Sequence, residues 1–409
     1  MTEATLADLV EPGRKICYGI VQPGAAHTDG IPILRVNNFG ASGLSTDDVL
    51  RVDPSIAQKY PRSKLHGGEL LVTLVGSVGQ VAIAPTNLAG WNVARAVGVV
   101  PIADPVMTKW ASYVLRSGPA QAFLGQRANT TVQTTVNLRD LALLPIPLLP
   151  RDELEAVIVV LSALDDKIEL NRRMSETLEA QARALFRDWF VDFGPVKAKM
   201  AGDTPYLAPD LWSLFPNRLD DDGVPEGWAS ISVGDVASLR GGKQLLKSEI
   251  ADNGPVPVYG GAGIMGFTKD GNAEGYVITV GRVGAYCGQF FSHRGTAWVN
   301  NNASLIAPNQ GVSGEWLFLA LKELDIETIR KGAAQPFVSN GDIAKLKLIW
   351  PSTEVMEAFL DLAGPLIRRQ EVNLIGNKAL GQTRDLLLPK LMSGEIRVGE
   401  VSSKELSAA

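Results

Sequence analysis

A heptad pattern of apolar residues runs from Pro150 to Phe193 and constrains the fold more than any other stretch. One heptad position is occupied by Leu154, Leu161, Ile168, Ser175, Ala182 and Trp189, and the position three residues later by Val157, Leu164, Asn171, Leu178 and Leu185. Alternating steps of three and four residues are typical of a helix that packs lengthwise against another helix. At ~1.5 Å per residue this helix is roughly 60 Å long, so it needs a partner along most of its length.

A second helical stretch, within residues 351–394, can supply that partner. It ends at the stop signal Ser393-Gly394 and has a rougher spacing of three and four residues. The apolar residues that follow this spacing are Val355, Phe359, Leu362, Leu366, Val372, Ile375, Leu380, Leu387 and Leu391. We expect the two helices to pack against each other.

The regions before the two helices, residues 1–149 and 226–350, resemble one another. Both contain short β-branched runs separated by Gly, Pro and Asn, which predicts many short strands. Matching segments follow in the same order at an offset of about 200 residues: 6–10 with 233–237, 30–33 with 254–258, 73–79 with 279–284, and 136–141 with 338–343. The third match places Ser77 opposite Arg282. A tandem duplication of a globular domain followed by a helix explains this order.

These features predict an α+β fold with an internal pseudo-two-fold duplication. Two similar strand-rich domains, 1–149 and 226–350, are separated by two long antiparallel helices, 150–193 and 351–394. Residues 194–225 form a Pro-rich irregular connector, and residues 395–409 form a C-terminal tail. A register with residue 152 opposite residue 392 predicts the charge pairs Asp166–Lys378 and Glu176–Arg368.

The composition narrows the class of protein. A chain of 409 residues is too long to fold around a single hydrophobic core, so we expect two or three domains. Its content of 45% apolar and 20% charged residues is typical of a globular protein. The net charge of −5 gives no overall attraction to nucleic acid, so DNA binding requires local basic patches or a partner. Only Cys17 and Cys287 are present, without a pairing pattern and without a charged-then-apolar leader, which predicts a reducing cytoplasm. No apolar run is long enough to predict a membrane span.

Several motifs resemble the specificity subunit of type I restriction-modification systems. They are Leu164–Arg173 and Thr177–Phe193 in the first helix, Leu214-Phe-Pro216 with Pro225-Glu-Gly-Trp228 in the connector, and Arg384–Glu395 at the end of the second helix. Each motif is weak alone, but their order around a duplicated domain is specific, and the resemblance covers nearly the whole chain.

The resemblance implies a non-catalytic subunit with two target-recognition domains, each reading one half of a split double-stranded DNA site. It also implies docking of two adenine methyltransferase subunits and of the restriction/translocase subunits. S-adenosylmethionine is then bound by the methyltransferase, and we expect no cofactor on this chain. Two recognition domains on a rigid spacer can bind only half-sites that lie at a fixed separation, as in dimeric DNA-binding proteins.

The sequence contains no recognisable catalytic or metal-binding motif. It lacks an Asn-Pro-Pro-Tyr element, a phosphate-binding loop, an H-E-x-x-H motif and a G-x-S-x-G elbow. Three scattered histidines and two cysteines are too few for a metal cluster. We therefore expect neither a catalytic nor a metal site.

Polar loop residues are the candidates for DNA contact, since Arg reads guanine and Asn or Gln reads adenine. Gly-flanked turns at Ser77 and Arg282 can also bring backbone amides close to phosphates, although most such turns are only structural. In the first domain the candidates are Arg35, Asn37, Asn38, Ser77, Arg95, Arg127, Asn129, Thr130, Thr131 and Gln133. In the second they are Lys243, Lys269, Arg282, Asn300, Asn301, Asn302, Lys331 and Gln335. Any one of these residues can equally belong to a solvated turn.

Two further groups have both a structural and a functional interpretation. Asn171 and Ser175 lie on the apolar seam, where a buried polar residue is either tolerated or fixes the helix register. Trp189, Phe190 and Phe193 form either a local core or a docking surface for a methyltransferase subunit.

Two other functions remain open from the sequence. A scaffold or adaptor could use duplicated protein-binding domains on a coiled-coil spacer, and it would show no sequence-dependent DNA protection. An enzyme with an unrecognised site would show activity without a partner, but the missing motifs argue against it.

Overall fold

The computed structural model describes residues 2–40, 43–128, 134–332 and 334–398. The chain divides into two compact units. Unit 1 comprises Met1–Arg172 and Leu374–Ala409, and unit 2 comprises Arg173–Asn373. Each unit therefore contains one strand-rich domain and a part of both long helices.

The domain of unit 1 is built mainly from short strands. They are β1 (Thr2–Thr5), β2 (Cys17–Tyr18), β3 (Ile31–Leu34), β4 (Phe39–Gly40), β5 (Gly43–Leu44), β6 (Leu50–Val52), β7 (Leu70–Thr73), β8 (Val81–Ile83), β9 (Asn92–Val93), β10 (Val97–Val100) and β11 (Pro145–Leu148). Its helices are α1 (Pro54–Ala57), α2 (Pro105–Arg116), α3 (Gly118–Arg127) and α4 (Leu138–Ala142).

The first long helix, α5 (Arg151–Phe190), is followed by two shorter ones, α6 (Gly194–Ala201) and α7 (Pro209–Leu214). The connector was predicted to be irregular throughout, and this is wrong. Pro195 and Pro209 stand in the first turn of α6 and α7, where a proline needs no amide hydrogen and its fixed φ favours the helix.

The domain of unit 2 repeats the architecture of unit 1. Its strands are β12 (Ala229–Ser232), β13 (Ala237–Gly241), β14 (Val256–Gly260), β15 (Gly263–Thr268), β16 (Tyr276–Gly281), β17 (Phe290–Arg294), β18 (Trp298–Val299), β19 (Ala303–Pro308) and β20 (Lys347–Trp350). Its helices are α8 (Val233–Val236), α9 (Gly314–Lys322) and α10 (Asn340–Lys345), and α11 (Thr353–Ser393) is the second long helix.

The sheet topology confirms the duplication. The four-stranded sheets have the orders β2-β10-β7-β8 and β13-β19-β16-β17, and the three-stranded sheets have the orders β6-β3-β9 and β15-β14-β18. The pairs β1-β11 and β12-β20 close the two domains in the same way. In each three-stranded sheet the central strand is parallel to one neighbour, β9 or β18.

The seam of α5 is buried as the heptad pattern predicts. In unit 1, Leu154, Val157, Leu161 and Leu164 join a core that also contains Trp110 and other residues of the domain. In α11, by contrast, Leu362, Val372 and Ile375 are exposed although the spacing placed them on the seam. In this stretch the buried face of α11 carries small or polar residues such as Ala363 and Asn373, so apolar spacing alone did not identify it.

The two long helices are antiparallel within each unit. In unit 1, Asp165 pairs with Arg384 at 2.8 Å, and Asn171 further along α5 donates a hydrogen bond to Asn377 at 3.0 Å. In unit 2, Glu179 accepts a hydrogen bond from Gln370 at 3.1 Å, and the Trp189 and Phe359 ring centroids lie 6.0 Å apart. The predicted fold class is therefore confirmed.

The predicted helix register is wrong by about one turn. With residue 152 opposite 392, Asp165 would face residue 379 and Asn171 would face residue 373. The observed partners are Arg384 and Asn377, five and four residues further along. The charge pairs Asp166–Lys378 and Glu176–Arg368 were predicted from that register, so its correction removes the basis for them. Asn171 is buried and bonded across the helices, as a register-fixing residue requires, but that role stays a prediction.

A charged network joins the domain of unit 1 to both long helices. The carboxylate of Asp165 on α5 accepts hydrogen bonds from Tyr113 at 3.0 Å and from Arg116 at 3.3 Å, both on α2, as well as from Arg384 on α11. Burial alone would raise the pKa of Asp165, but the charges and hydrogen bonds of the two arginines and Tyr113 outweigh it, so the pKa lies below its ordinary value.

None of the helices in the described part of the chain has both the length and the apolar composition needed to cross a bilayer.

Substitution of Asp165 tests the network. Asp165→Asn should lower the free energy of unfolding by about 2 kcal/mol at neutral pH, because two partly buried arginines lose their counter-charge. The neighbouring Asp166→Asn is the matched control, since Asp166 is exposed. Chemical denaturation measures both variants, and equal losses would contradict a special role for Asp165.

The same comparison has a defined pH dependence. Because the folded pKa of Asp165 lies below the unfolded value of about 4, its stabilisation is present above that pH and is lost as the pH falls through the folded pKa. The difference between wild type and Asp165→Asn should therefore shrink below about pH 4. A difference that stays constant down to pH 3 would exclude the ionised carboxylate as its source.

Candidate nucleic-acid interface

In unit 2, one end of the parallel pair β14/β18 gathers most of the candidate side chains. The amide of Asn300, directly after β18, donates to the carbonyl of Tyr259 in β14 at 2.9 Å. Asn300 is 6% exposed, its Oδ1 accepts from the amide of Asn301 at 2.7 Å, and its Nδ2 lies 3.3 Å from the sulfur of Met265. Asn300 therefore holds the turn, whereas Asn301 and Asn302 are exposed and free to contact a ligand.

Glycines let four chain segments meet at this end. A Cβ at Gly242 would lie 2.0 Å from the carbonyl oxygen of Asn300, and a Cβ at Gly281 would lie 2.3 Å from that of Gly261. Contacts below 3 Å are not possible for real Cβ atoms, so any side chain at Gly242 or Gly281 would push the loops apart.

Lys243 and Arg282 are placed by these contacts. The amide of Lys243 donates to Val299 at 2.9 Å, and its side chain is exposed, with no ion pair among the described residues. Arg282 donates its amide to Asn302 at 3.1 Å. Its side chain is half-buried, and within the described chain its Nε has no hydrogen-bond partner. Both cations therefore lie beside the exposed asparagines.

Lys331 and Gln335 belong to a hairpin that pairs with the segment after β16. Lys331 and Phe337 exchange backbone hydrogen bonds of 3.0 and 2.8 Å, and the amide of Gly284 donates to Pro336 at 2.9 Å. Lys331 is exposed but forms an ion pair with Asp342 at 2.7 Å, and Gln335 is exposed. The hairpin thus adds two polar side chains next to Arg282.

Lys269 does not belong to this group. It follows β15, whose last residue Thr268 pairs with Val256 at the start of β14, whereas Gly263 pairs with Gly260 at the end. At about 3.3 Å per residue, Lys269 lies roughly 15 Å from the end of β14 that carries the group.

Unit 1 uses the same strand ends with different side chains. Leu34 of β3 is opposite Val93 of β9, so Arg35 and Arg95 emerge at neighbouring strand ends. Arg95 is exposed, whereas Arg35 pairs with Asp48 at 3.1 Å.

The loop after β3 separates a structural asparagine from an exposed one. Asn38 is 2% exposed, accepts a hydrogen bond from the amide of Arg35 at 2.8 Å, and donates to Ser45 and Asp48 at 3.1 and 2.9 Å. It stabilises the loop, whereas Asn37 is exposed and remains a candidate for contact.

Backbone hydrogen bonds show which residues of the two units are equivalent, and they change one of the matches made from the sequence. Leu74 donates to Ala96 and accepts from Val136, exactly as Arg282 donates to Asn302 and accepts from Val338. Leu74, which is buried, is therefore the counterpart of Arg282, and the prediction that Ser77 holds this place is wrong. Each short motif has glycines that can be aligned in more than one way, so the sequence alone did not fix the match.

The remaining candidates of unit 1 are near the turn at Ser77 or outside the described residues. Ser77 is exposed, and its carbonyl accepts a hydrogen bond from Thr73 at 2.5 Å. Arg127 is exposed at the end of α3, with its guanidinium 3.6 Å from the Phe123 ring centroid. The candidates outside the described residues are Asn129, Thr130, Thr131 and Gln133.

No group of three or more His, Cys, Asp or Glu side chains in the described ranges is arranged to hold a metal ion.

Comparison with known proteins finds similarity to one family. The family model of the type I restriction modification DNA specificity domain matches residues 225–361. The HindI specificity subunit of Haemophilus influenzae is 27% identical over 335 residues, covering 66% of this chain and 72% of the relative. The MjaIX specificity subunit of Methanocaldococcus jannaschii is 24% identical over 367 residues, covering 82% of this chain and 79% of the relative.

The chain is similar to the specificity subunits of type I restriction-modification systems over 66% and 82% of its length in these two comparisons.

A solved structure has the same fold. The crystal structure of the S subunit of a type I restriction-modification system from Mycoplasma genitalium superimposes with a TM-score of 0.54 at 19% identity and covers 95% of both chains. Specificity subunits are the non-catalytic recognition subunits of these systems, which agrees with the expectation from the sequence that the chain is not an enzyme.

The aromatic cluster at the end of α5 is part of the core. Trp189 and Phe190 are 0% and 4% exposed, and the ring centroids of Trp189 and Phe215 lie 4.8 Å apart. The prediction that Trp189 and Phe190 form a docking surface is therefore wrong. The connector and Trp228 fold over the cluster, which the helix sequence could not reveal. Phe193 is half-buried against Trp228 and belongs to the edge of the same cluster.

Sequence reasoning missed a group of exposed apolar residues beside the polar group of unit 2. They are Ile264, Met265, Val283, Tyr286 and Phe337. No sequence signal identified them, because exposure cannot be read from an apolar residue type.

The glycine contacts predict a selective effect on the interface. Gly242→Ala should destabilise the protein by about 2 kcal/mol, because the new methyl group overlaps the carbonyl of Asn300. Gly241→Ala is the control, since its Cβ would meet its nearest neighbour, an Arg282 nitrogen, at 3.5 Å, an ordinary contact. Thermal unfolding of both variants checks this, and an equal midpoint for Gly242→Ala and wild type would refute the close approach.

Proposed function

We propose that this chain is the subunit that selects the DNA site of a type I restriction-modification complex, with each unit reading one half of a bipartite double-stranded site. The observation that carries the proposal is the repeated position of exposed polar side chains. Arg95 follows β9 in unit 1, and Asn301 follows β18 in unit 2 at the equivalent strand end. The two units have the same backbone arrangement but present different side chains, which would let each unit recognise a different half-site.

The contacts divide into two physical kinds. Exposed cations such as Lys243 and Arg95 suit phosphates or guanine, and the exposed amides of Asn37, Asn301 and Asn302 suit adenine edges. Asn38 and Asn300 instead support the loops from within. The backbone therefore presents a few side chains on turns that buried hydrogen bonds hold in place. This favours recognition of particular bases over nonspecific electrostatic attraction to DNA.

Partner subunits complete this function. We infer that the chain docks two adenine methyltransferase subunits and the restriction/translocase subunits, and that S-adenosylmethionine is bound by the methyltransferase. The net charge of −5 supports a shared DNA interface, because this chain alone offers little overall phosphate attraction. The methyltransferase would extrude the adenine of each half-site from the base stack.

Single-molecule methylation sequencing tests the proposal. DNA is compared from cells that express the neighbouring methyltransferase with and without this chain. We expect N6-methyladenine in a two-part motif with a fixed gap only when the chain is present. Identical methylation in both strains, with the proteins still associated, would contradict DNA selection and favour the adaptor function.

Paired variants then assign each unit to a half-site. Arg95→Ala should relax the motif in one half, and Asn301→Ala should relax it in the other. Loss of one bidentate base contact costs about 1–3 kcal/mol, which corresponds to roughly 5- to 150-fold in affinity. Asp166→Asn, exposed on a long helix, should leave both halves unchanged. Relaxation of the same half by Arg95→Ala and Asn301→Ala would contradict the one-unit, one-half assignment.

A further inference from the structure

Three large apolar side chains are exposed in unit 2 beside its polar loop group. Val283, Tyr286 and Phe337 are 44%, 52% and 41% exposed. The segment that carries them touches the proposed reading loops, since a Cβ at Gly261 would lie 3.4 Å from the carbonyl of Asn302 and 3.8 Å from that of Val283. The apolar residues and the polar readers therefore share one surface.

The backbone under these side chains is well fixed. Val283 and Phe337 form an antiparallel bridge, and Phe337 is held by two hydrogen bonds to Lys331. On the other side of Tyr286, Cys287 is buried, its amide donates to Gly284 at 3.0 Å, and its carbonyl accepts from Arg330 at 2.8 Å. The exposure of the three side chains is thus a property of an ordered loop.

Unit 1 has the same backbone and keeps a valine, Val75, at the place of Val283, but it lacks the two aromatic side chains. Val75 pairs with Thr135 just as Val283 pairs with Phe337. The turn that carries Tyr286 in unit 2 is one residue shorter in unit 1 and carries Ser77. Because the shared fold does not require aromatic residues at these places, Tyr286 and Phe337 serve something particular to unit 2.

We propose that Val283, Tyr286 and Phe337 form a wedge that enters one base step of the half-site read by unit 2 and unstacks it. Apolar and aromatic wedges do this in other DNA-binding proteins, where the bent or opened duplex gains further contacts. The neighbouring Arg282, Asn302 and Lys331 suit the charged backbone and base edges of DNA, which favours nucleic acid over an apolar protein surface. The inference rests on the proposed function.

The first test measures DNA affinity of the assembled complex with its methyltransferase. Duplexes carry the motif found by methylation sequencing. Tyr286→Ala and Phe337→Ala should each weaken binding about tenfold, since loss of one base–aromatic stack has roughly this effect. Tyr286→Phe keeps the ring and should recover most of that loss. Leu143→Ala, an exposed leucine of unit 1, is the control for removing surface apolar area and should bind as wild type does.

The second test detects unstacking directly. A single mismatch is moved through the half-site whose specificity changes in Asn301→Ala, leaving out the methylated adenine, because extrusion of that base would also be easier at a mismatch. A protein that pays to unstack one step binds more tightly when that step is already weakened, so the wild-type complex should gain about fivefold or more at one position. The Tyr286→Ala/Phe337→Ala complex should show no such gain. A merely structural role for these residues would not produce this difference.

The outcomes distinguish failure of the wedge proposal from failure of the proposed DNA-selecting function. If the wild-type complex binds its motif no better than an unrelated duplex, the proposed function fails. If it discriminates its motif but the double variant binds equally well, or the mismatch gain persists without the aromatic rings, the wedge alone is overturned. Equal unfolding midpoints for the variants and wild type ensure that the comparison concerns folded protein.

Discussion

The hydrophobic core of each unit includes residues of both long helices, and the rest of the structure depends on this sharing. In unit 1, Leu161 of α5 and Leu387 of α11 pack in one core with Trp110 of the domain. In unit 2, Trp189 and Phe359 play the same part with Trp316. Burial of each such side chain contributes about 1.5–3 kcal/mol, far more than an exposed ion pair. A recognition domain is therefore fixed to its helices by its core, and charged contacts such as those of Asp165 and Glu179 refine the fit.

Duplication gives the two units one backbone plan with different surface chemistry at equivalent strand ends. The parallel strand ends, the paired loop and the helix caps at Asn137 and Ser339 recur in both units. The side chains placed on that plan differ, with arginines prominent in unit 1 and asparagines and aromatics in unit 2. Such a separation allows the contact residues to change without loss of the supporting fold, because the supporting residues, such as Asn300, are buried.

The sequence predicted the fold well where a pattern had a physical period and less well where it had none. The heptads identified α5 and its buried seam, and the ordered repeats identified the duplication. The helix register was wrong because a shift of four residues, about one turn, nearly restores the same apolar contacts. Among candidate contacts, composition could not separate buried Asn38 and Asn300 from exposed Asn37 and Asn301, since one residue type serves both purposes. It also could not show that Trp189 is covered by the connector or that Tyr286 is exposed.

The central claim is that the equivalent strand ends of the two units read different halves of one DNA site. The most direct measurement places a photoreactive amino acid at position 95 or position 301 of the full chain, assembled with its methyltransferase on DNA that carries the methylated motif, and identifies the cross-linked nucleotide. The account predicts cross-links from position 95 in one half-site and from position 301 in the other. Cross-links from both positions in the same half, or equal cross-linking to DNA without the motif, would contradict it.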